Sequence, residues 1–196
     1  SFVMKVSPRF YNMFVHPQFI TKLYAKKLSS YVDISGKRLL DFGCGTGNNA
    51  GIFDPEQYLG VDIDSERISY ARTLNPTHTF QVVGEQLDEL EDSSFDRILI
   101  SAVLHHIEDS KIAGYLAHFK RILKPDGQII IYEPFLAQGS RFRNWYMNTF
   151  DEGDFIRTEK AYLAFFEGDF VTTVHFRANI AWLYNGLFFS VSKKEC

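Results

Sequence analysis

Short apolar runs alternate along this chain with segments whose apolar residues recur at helical spacing. The runs predict five strands, at residues 38–42, 58–61, 79–83, 95–101 and 128–132. Helical spacing predicts helices at residues 17–31, 64–74 and 109–123, the second of them capped by Asp64 and closed by Pro76. Strands joined by helices lie parallel with right-handed crossovers, so the pattern predicts a doubly wound α/β sheet.

The pattern changes after Pro134. A polar, aromatic-rich stretch leads to a helical segment near residues 158–166, and two strand-like runs follow at residues 170–177 and 187–192. Turn signals stand at residues 124–127 and at Asn185-Gly186. Two strands with no helix between them predict an antiparallel hairpin at the sheet edge, which an ordinary dinucleotide-binding fold lacks. The full prediction is a mostly parallel, seven-stranded sheet with an antiparallel C-terminal hairpin.

Composition narrows the class of protein. The 196 residues fit one domain that buries a core without disulfides, and the net charge of -3 provides no overall field for nucleic acid or an anionic membrane. No apolar run approaches the roughly 18 residues of a spanning helix. The two cysteines, Cys44 and Cys196, form no disulfide framework. We therefore expect a cytoplasmic protein without a membrane span or a nucleic-acid partner, of unknown oligomeric state.

Candidate chemistry begins at a glycine-rich turn, residues 43–47, directly after the first strand. Glycine lets a ligand approach the backbone there, although it serves tight strand-to-helix packing equally well. Fifteen residues after Gly47, Asp62 ends the second strand, where a carboxylate can accept hydrogen bonds from both hydroxyls of a ribose. The dinucleotide fingerprint requires a third glycine where Asn48 stands, which argues against a nicotinamide or flavin enzyme.

Five segments in this order resemble class I S-adenosylmethionine-dependent methyltransferases of the small-molecule type: residues 39–47, 60–64, 94–98, 104–107 and 121–127. They cover about residues 38–134. The resemblance implies a Rossmann-like methyltransferase fold, S-adenosyl-L-methionine as the cofactor, and methyl transfer to a small acceptor. The many aromatic side chains of residues 135–189 favour an apolar or aromatic acceptor. A non-catalytic partner subunit that binds S-adenosylmethionine is the alternative.

The resemblance also implies roles for residues of the first two strands. Asp41 would hold the methionine ammonium, directly or through water, and the backbone of Gly43, Cys44 and Gly45 would approach the methionyl part. Asp62 would bind the ribose.

Further cofactor contacts follow from the same resemblance. Ile63 would cover one face of the adenine, and Glu85 and Gln86 would meet its polar edge, with Glu85 accepting from the exocyclic amine. Ser101 and Ala102, after the fourth strand, would give backbone contacts to the methionine. Residues 84–90 depart from the family pattern here, because they lack the proline that the family usually shows.

His105 and His106 are candidates for a general base, because an imidazole takes up a proton near neutral pH. A structural role is favoured, since a sulfonium is already an activated methyl donor and transfer needs mainly alignment and exclusion of water. Adjacent histidines without a suitably spaced third ligand predict no metal site.

The remaining segments are assigned to the acceptor. Residues 1–37 predict an amino-terminal helical lid with Tyr11 over the donor, residues 38–134 the cofactor-binding core, and residues 171–196 the terminal hairpin. Residues 135–170, rich in aromatic and basic side chains, predict an acceptor cap in which Arg143 and Trp145 are the candidate substrate residues. An arginine can hold a carboxylate or phosphate, although surface solubility is the alternative role for each such residue.

Overall fold

The computed structural model describes residues 28–151, 153–180 and 184–194. They form two compact units, the first ending at Val83 and the second beginning at Gly84. Tyr11 and most of the predicted amino-terminal helix lie outside the described residues. The lid therefore stays a prediction, as does the division of the chain into lid, core, cap and hairpin.

Within its described residues, the first unit contains a parallel sheet and an α-helix that packs against it. Strands β1 (Leu39–Phe42) and β3 (Thr79–Val82) flank β2 (Tyr58–Asp62), and both pairings are parallel. Helix α1 (Ser65–Leu74) begins where the sequence predicts, because the Asp64 carboxylate accepts the backbone N–H groups of Glu66 and Arg67 at 2.9 and 3.1 Å. The helix buries Ile68 and Ala71, so a short amphipathic segment covers this part of the sheet.

The second unit continues with strands and helices in this order: β4 (Phe95–Ser101), α2 (Asp109–Ile122), β5 (Leu123–Leu136), α3 (Arg141–Phe150), β6 (Arg157–Thr158), α4 (Glu159–Ala164), β7 (Phe170–Ile180) and β8 (Tyr184–Lys193). β4 and β5 are parallel, whereas β8 pairs antiparallel with β5 on one side and with β7 on the other. The prediction of a mostly parallel α/β sheet with an antiparallel C-terminal hairpin is confirmed. The two-residue strand β6 and helix α3 were not predicted.

Both predicted turns are wrong, because both segments lie inside strands. β5 begins at Leu123, which pairs with Phe95, and its next pairing with β4 is at Gln128, so residues 124–127 form an irregularity within the strand. Asn185 and Gly186 lie within β8. A Cβ on Gly186 would stand 2.5 Å from the Tyr132 hydroxyl, so this glycine makes room for a packed ring.

Candidate active site

The glycine turn after β1 has a backbone that other residues rarely adopt. Gly43, Gly45 and Gly47 have φ angles of 68, 53 and 76°, in the left-handed region. Cys44 donates its backbone N–H to the Val61 carbonyl at 3.0 Å, and Gly45 donates its own to the Asp62 carboxylate at 2.8 Å. These two bonds attach the turn to the carboxyl end of β2.

Asp62 therefore joins two loops. One carboxylate oxygen accepts from Gly45, and the other accepts from the backbone N–H of Asp64 at 2.9 Å. A carboxylate has about four lone-pair positions, so these bonds leave Asp62 able to accept from further donors. The adjacent Ile63 side chain is 65% exposed, an apolar surface beside the carboxylate.

Asp41 is the second acidic group of this region and is buried. Its carboxylate accepts the Tyr58 hydroxyl at 2.7 Å. Burial raises the pKa of Asp41 to about 7, and the negative charge of Asp62 acts in the same direction, while hydrogen bonds from Tyr58 and Asn49 oppose it. Near neutral pH this carboxyl is therefore partly protonated and partly ionised, and a nearby cation would favour the ionised form.

Cys44 carries a buried free thiol. Burial raises the pKa of this thiol, and the neighbouring charges of Asp41 and Asp62 raise it further. The thiol is neutral at physiological pH, so Cys44 contributes backbone and packing to the turn, not a nucleophile.

The glycines of the turn make a matched test of packing. A Cβ on Gly47 would stand 2.9 Å from both the Asn75 amide nitrogen and the Phe80 ring, whereas the nearest atom to a Cβ on Gly45 is an Arg67 nitrogen at 4.0 Å. Both positions have positive φ, so both alanine variants share the backbone strain. We expect Gly47→Ala to lose about 1–3 kcal/mol more of the free energy of unfolding than Gly45→Ala, measured by urea denaturation, because only Gly47 is overpacked. Equal losses would contradict this packing role.

The predicted cofactor residues of the second unit lie in two segments, residues 85–86 and residues 101–102. Glu85 and Gln86 are exposed, and Glu85 forms an ion pair with Lys111 at 2.8 Å. Ser101 ends β4, and Ala102 follows in the left-handed region with a φ of 57°. A non-glycine residue held in that region is strained, and such strain is frequent at ligand sites.

Glu133, near the end of β5, is the centre of a buried network that the sequence did not predict. One carboxylate oxygen accepts the backbone N–H groups of Val103 and Leu104, both at 2.8 Å. The other is 2.7 Å from His105 Nδ1. The side chain is fully buried, so it fixes the loop that follows β4 from inside the protein.

His105 lies between two carboxylates. Its second ring nitrogen is 3.4 Å from the Asp151 carboxylate. Burial lowers the pKa of His105, but the hydrogen bond and charge of Glu133, together with the charge of Asp151, outweigh burial and raise the pKa above its usual value. An imidazole that holds its proton between two acids is a poor general base. His106 is exposed, with its ring 4.1 Å from that of His105.

Arg157 extends this network to the segment after α3. Its guanidinium donates to the carbonyls of Leu104 and Ile107 at 2.7 and 2.5 Å, and to the Asp109 carboxylate at 2.8 Å. Phe155 donates its backbone N–H to the His105 carbonyl at 2.9 Å. The loop after β4 is thus held to Phe155 and Arg157 by buried and partly buried polar contacts.

The two candidate substrate residues lie on α3 but on different faces of it, since positions two apart on a helix do not face each other. Arg143 donates to the Asn185 side-chain carbonyl at 3.1 Å. Trp145 is 56% exposed, with its ring 5.9 Å from that of Phe142. The structure therefore does not bring Arg143 and Trp145 together.

The described part of the chain has neither a metal-binding cluster nor a membrane-spanning helix. Within residues 28–151, 153–180 and 184–194, no group of three or more histidine, cysteine, aspartate or glutamate side chains is arranged to hold a metal ion. Over the same residues, no helix is long and apolar enough to cross a membrane.

Two curated relatives differ in their named acceptors. The fatty-acid O-methyltransferase of Mycolicibacterium smegmatis is 28% identical over 112 residues, which cover 52% of this chain and 39% of that protein. The tRNA (carboxymethyluridine(34)-5-O)-methyltransferase of Saccharomyces cerevisiae is 30% identical over 109 residues, which cover 55% of this chain and 39% of that protein. The chain spans less than half the length of these relatives. The absence of a nucleic-acid partner and the cytoplasmic location stay predictions.

The fold has close counterparts among solved structures. The S-adenosylmethionine-dependent methyltransferase of Methanosarcina mazei superposes with a TM-score of 0.67 at 19% identity, over 86% of this chain and 98% of that chain. Residues 15–165 match the family described as a methyltransferase domain. Because that match spans more than half of the chain, the chain belongs to the class I S-adenosylmethionine-dependent methyltransferase family, with S-adenosyl-L-methionine as its cofactor, as the sequence predicted.

Proposed function

We propose that this chain transfers a methyl group from S-adenosylmethionine to a small acceptor. The observation that carries the proposal is the Asp62 carboxylate at the end of β2. The backbone N–H groups of Gly45 and Asp64 hold it in place, beside a turn whose glycines have positive φ angles. When bound, the cofactor supplies a methyl group on a positively charged sulfur, a donor that needs no further activation.

The residues of the first unit fit this cofactor. The remaining lone pairs of Asp62 suit the two hydroxyls of a ribose, and the exposed apolar side chain of Ile63 suits one face of an adenine. Beside Gly45, apart from its two neighbours in the chain, no described atom comes closer than 4.0 Å to the place a Cβ would take, so a ligand can reach the backbone there. Asp41 offers a carboxyl that ionises near neutral pH for the amino-acid ammonium.

In the second unit we assign His105 a positioning role. Both of its ring nitrogens face carboxylates, so it holds the loop after β4 and is not available to take a proton from an acceptor. Of the two predicted bases, the exposed His106 is the candidate for acceptors that must lose a proton. The contacts of Glu85, Gln86, Ser101 and Ala102 with the cofactor remain predictions.

Residues 135–170 are the proposed acceptor cap. The buried contacts of Arg157 and Asp151 attach part of this segment to the loop after β4. α3 presents exposed aromatic side chains at Phe142 and Trp145. Both features support a cap that is anchored at one end and offers apolar surface to an acceptor.

Asp62→Ala tests donor binding. We expect it to weaken the affinity for S-adenosylhomocysteine about tenfold or more by calorimetry, because the ribose hydroxyls lose their acceptor. Asp64→Ala is the matched control, since it removes the cap of α1 and lowers stability without removing a ribose contact. Asp62→Ala binding as tightly as the wild type would contradict the assignment.

Catalysis is tested separately from binding. Protein that is shown to bind S-adenosylhomocysteine is incubated with S-adenosylmethionine that carries a labelled methyl group. We expect the label to be transferred to a component of a small-molecule extract. Binding without transfer to any extract component would favour a non-catalytic partner subunit, and transfer only to a tRNA fraction would replace the small acceptor by a nucleic acid.

A further inference from the structure

We propose that Arg143 and Asn185 form a subsite for an oxyanion, a carboxylate or phosphate, carried by the methyl acceptor. The inference rests on the proposed function and names the substrate class of that same site. It is carried by a buried amide whose N–H groups have no described partner.

Asn185 is 2% exposed, and its carbonyl oxygen accepts from the Arg143 guanidinium at 3.1 Å. A guanidinium only donates hydrogen bonds, so this contact fixes which end of the amide faces Arg143. The amide nitrogen of Asn185 then points elsewhere, and among residues 28–151, 153–180 and 184–194 no atom accepts from it. Buried polar groups are nearly always hydrogen-bonded, so this donor needs a partner from outside the described residues, and an oxygen of a bound ligand can supply it.

The register of β8 places this amide at the ligand end of the sheet. Gly186 pairs with Pro134, and Asn185 is the next residue of β8 beyond that pair, past Glu133 toward the carboxyl end of β5. In open α/β sheets, ligands bind outside the carboxyl ends of the parallel strands. The strained Ala102 follows the carboxyl end of the neighbouring strand β4. The amide is therefore on the side where an acceptor would approach.

The chemistry of the pair selects an anion. The amide nitrogen can donate to one oxygen of a ligand, and the adjacent Arg143 guanidinium adds a positive charge, which favours carboxylates and phosphates over neutral groups. A neutral amide ligand presents only one such oxygen and no charge. The pair should therefore prefer an acid over its neutral isostere.

The experiment uses the full chain saturated with S-adenosylhomocysteine, with benzoate, phenyl phosphate and benzamide as probes. We expect at least one of the two anions to bind about tenfold or more tightly than benzamide, and to shift the side-chain amide signal of Asn185 in the NMR spectrum. That signal is assigned by its loss in the Asn185 variant. The tighter of the two anions identifies the acid group as carboxylate or phosphate.

Asn185→Asp is the decisive variant. It keeps an oxygen for Arg143, so the fold is retained, but it replaces the amide donor by a second oxygen that repels an anion. We expect about tenfold or greater loss of anion affinity in Asn185→Asp and in Arg143→Met, and no change in Arg141→Met, which removes an exposed charge from the same helix.

Failure of the subsite is distinguishable from failure of the proposed function. If S-adenosylhomocysteine does not raise the melting temperature of the wild type, the donor assignment fails. If it does, but benzoate and phenyl phosphate bind no better than benzamide, or not at all, the oxyanion subsite is wrong. Anion binding that survives in Asn185→Asp equally overturns it.

Discussion

Glu133→Gln is expected to lower the free energy of unfolding by about 3–5 kcal/mol, the range measured when one partner of a buried ion pair is removed. The substitution keeps the shape of the side chain but turns one oxygen into a donor. That donor would face either the N–H groups of Val103 and Leu104 or Nδ1 of His105, which is 2.7 Å from the Glu133 carboxylate. Tryptophan fluorescence during urea unfolding measures the effect.

Glu85→Gln is the matched control for this change. It makes the same substitution in the exposed ion pair with Lys111, where the loss should be about 0–1 kcal/mol. Glu133→Gln unfolding within about 1 kcal/mol of the wild type would contradict the buried network, since that is the effect of an exposed pair.

The same network predicts a pH dependence. The folded-state pKa of His105 is raised, so the stability it contributes is fully present below the unfolded pKa of about 6.5 and is lost as pH rises through the folded value. Denaturation at several pH values should show this loss in the wild type. In Glu133→Gln the loss should be smaller, because the partner that raises the pKa most is gone.

Strands and caps could be predicted because their signals are local. The buried strand β1 is a run of apolar residues with one aspartate, and α1 begins at Asp64 because a carboxylate at that position accepts the first free N–H groups of a helix. Asp62 could be singled out for the same reason, since it is the polar residue that ends an apolar strand.

The buried network could not be predicted, because its partners are distant in sequence. Glu133 contacts residues about thirty positions earlier, and nothing local shows which loop will pass beside it. The available signal was a single acid in the apolar run before Pro134. α3 does carry apolar residues at helical spacing, at Phe142, Trp145, Tyr146 and Phe150, so a local signal was present, but the segment was interpreted as an irregular aromatic-rich stretch.

The misread Asn185-Gly186 pair shows how one dipeptide serves two purposes. Asparagine followed by glycine is a strong turn signal, because both residues tolerate positive φ. Here the glycine makes room for the Tyr132 ring, and the asparagine bonds Arg143. The packing of Tyr132 and the buried contact with Arg143 explain why glycine and asparagine stand inside a strand here. Neither contact can be read from the local sequence.

Donor affinity should depend on pH through Asp41. If the carboxylate of Asp41 holds the ammonium of the donor, only its ionised form binds well, so affinity is highest above the pKa of about 7 and falls as pH decreases. Between pH 7.5 and pH 5.5 we expect the affinity for S-adenosylhomocysteine to fall about twentyfold, as one protonation near pH 7 requires.

Three comparisons separate Asp41 from other titrating groups. Adenosine has no ammonium, so calorimetry should show its affinity nearly constant over the same range. Asp41→Asn should bind S-adenosylhomocysteine weakly at every pH, because an amide does not ionise and so provides no negative charge for the ammonium. Tyr58→Phe should move the midpoint to higher pH, since the hydrogen bond from Tyr58 lowers the pKa of Asp41 and its removal lets burial raise that pKa further. A pH profile that is the same for adenosine and S-adenosylhomocysteine would show that Asp41 does not face the ammonium, and the carboxyl would then serve only to join β1 to Tyr58.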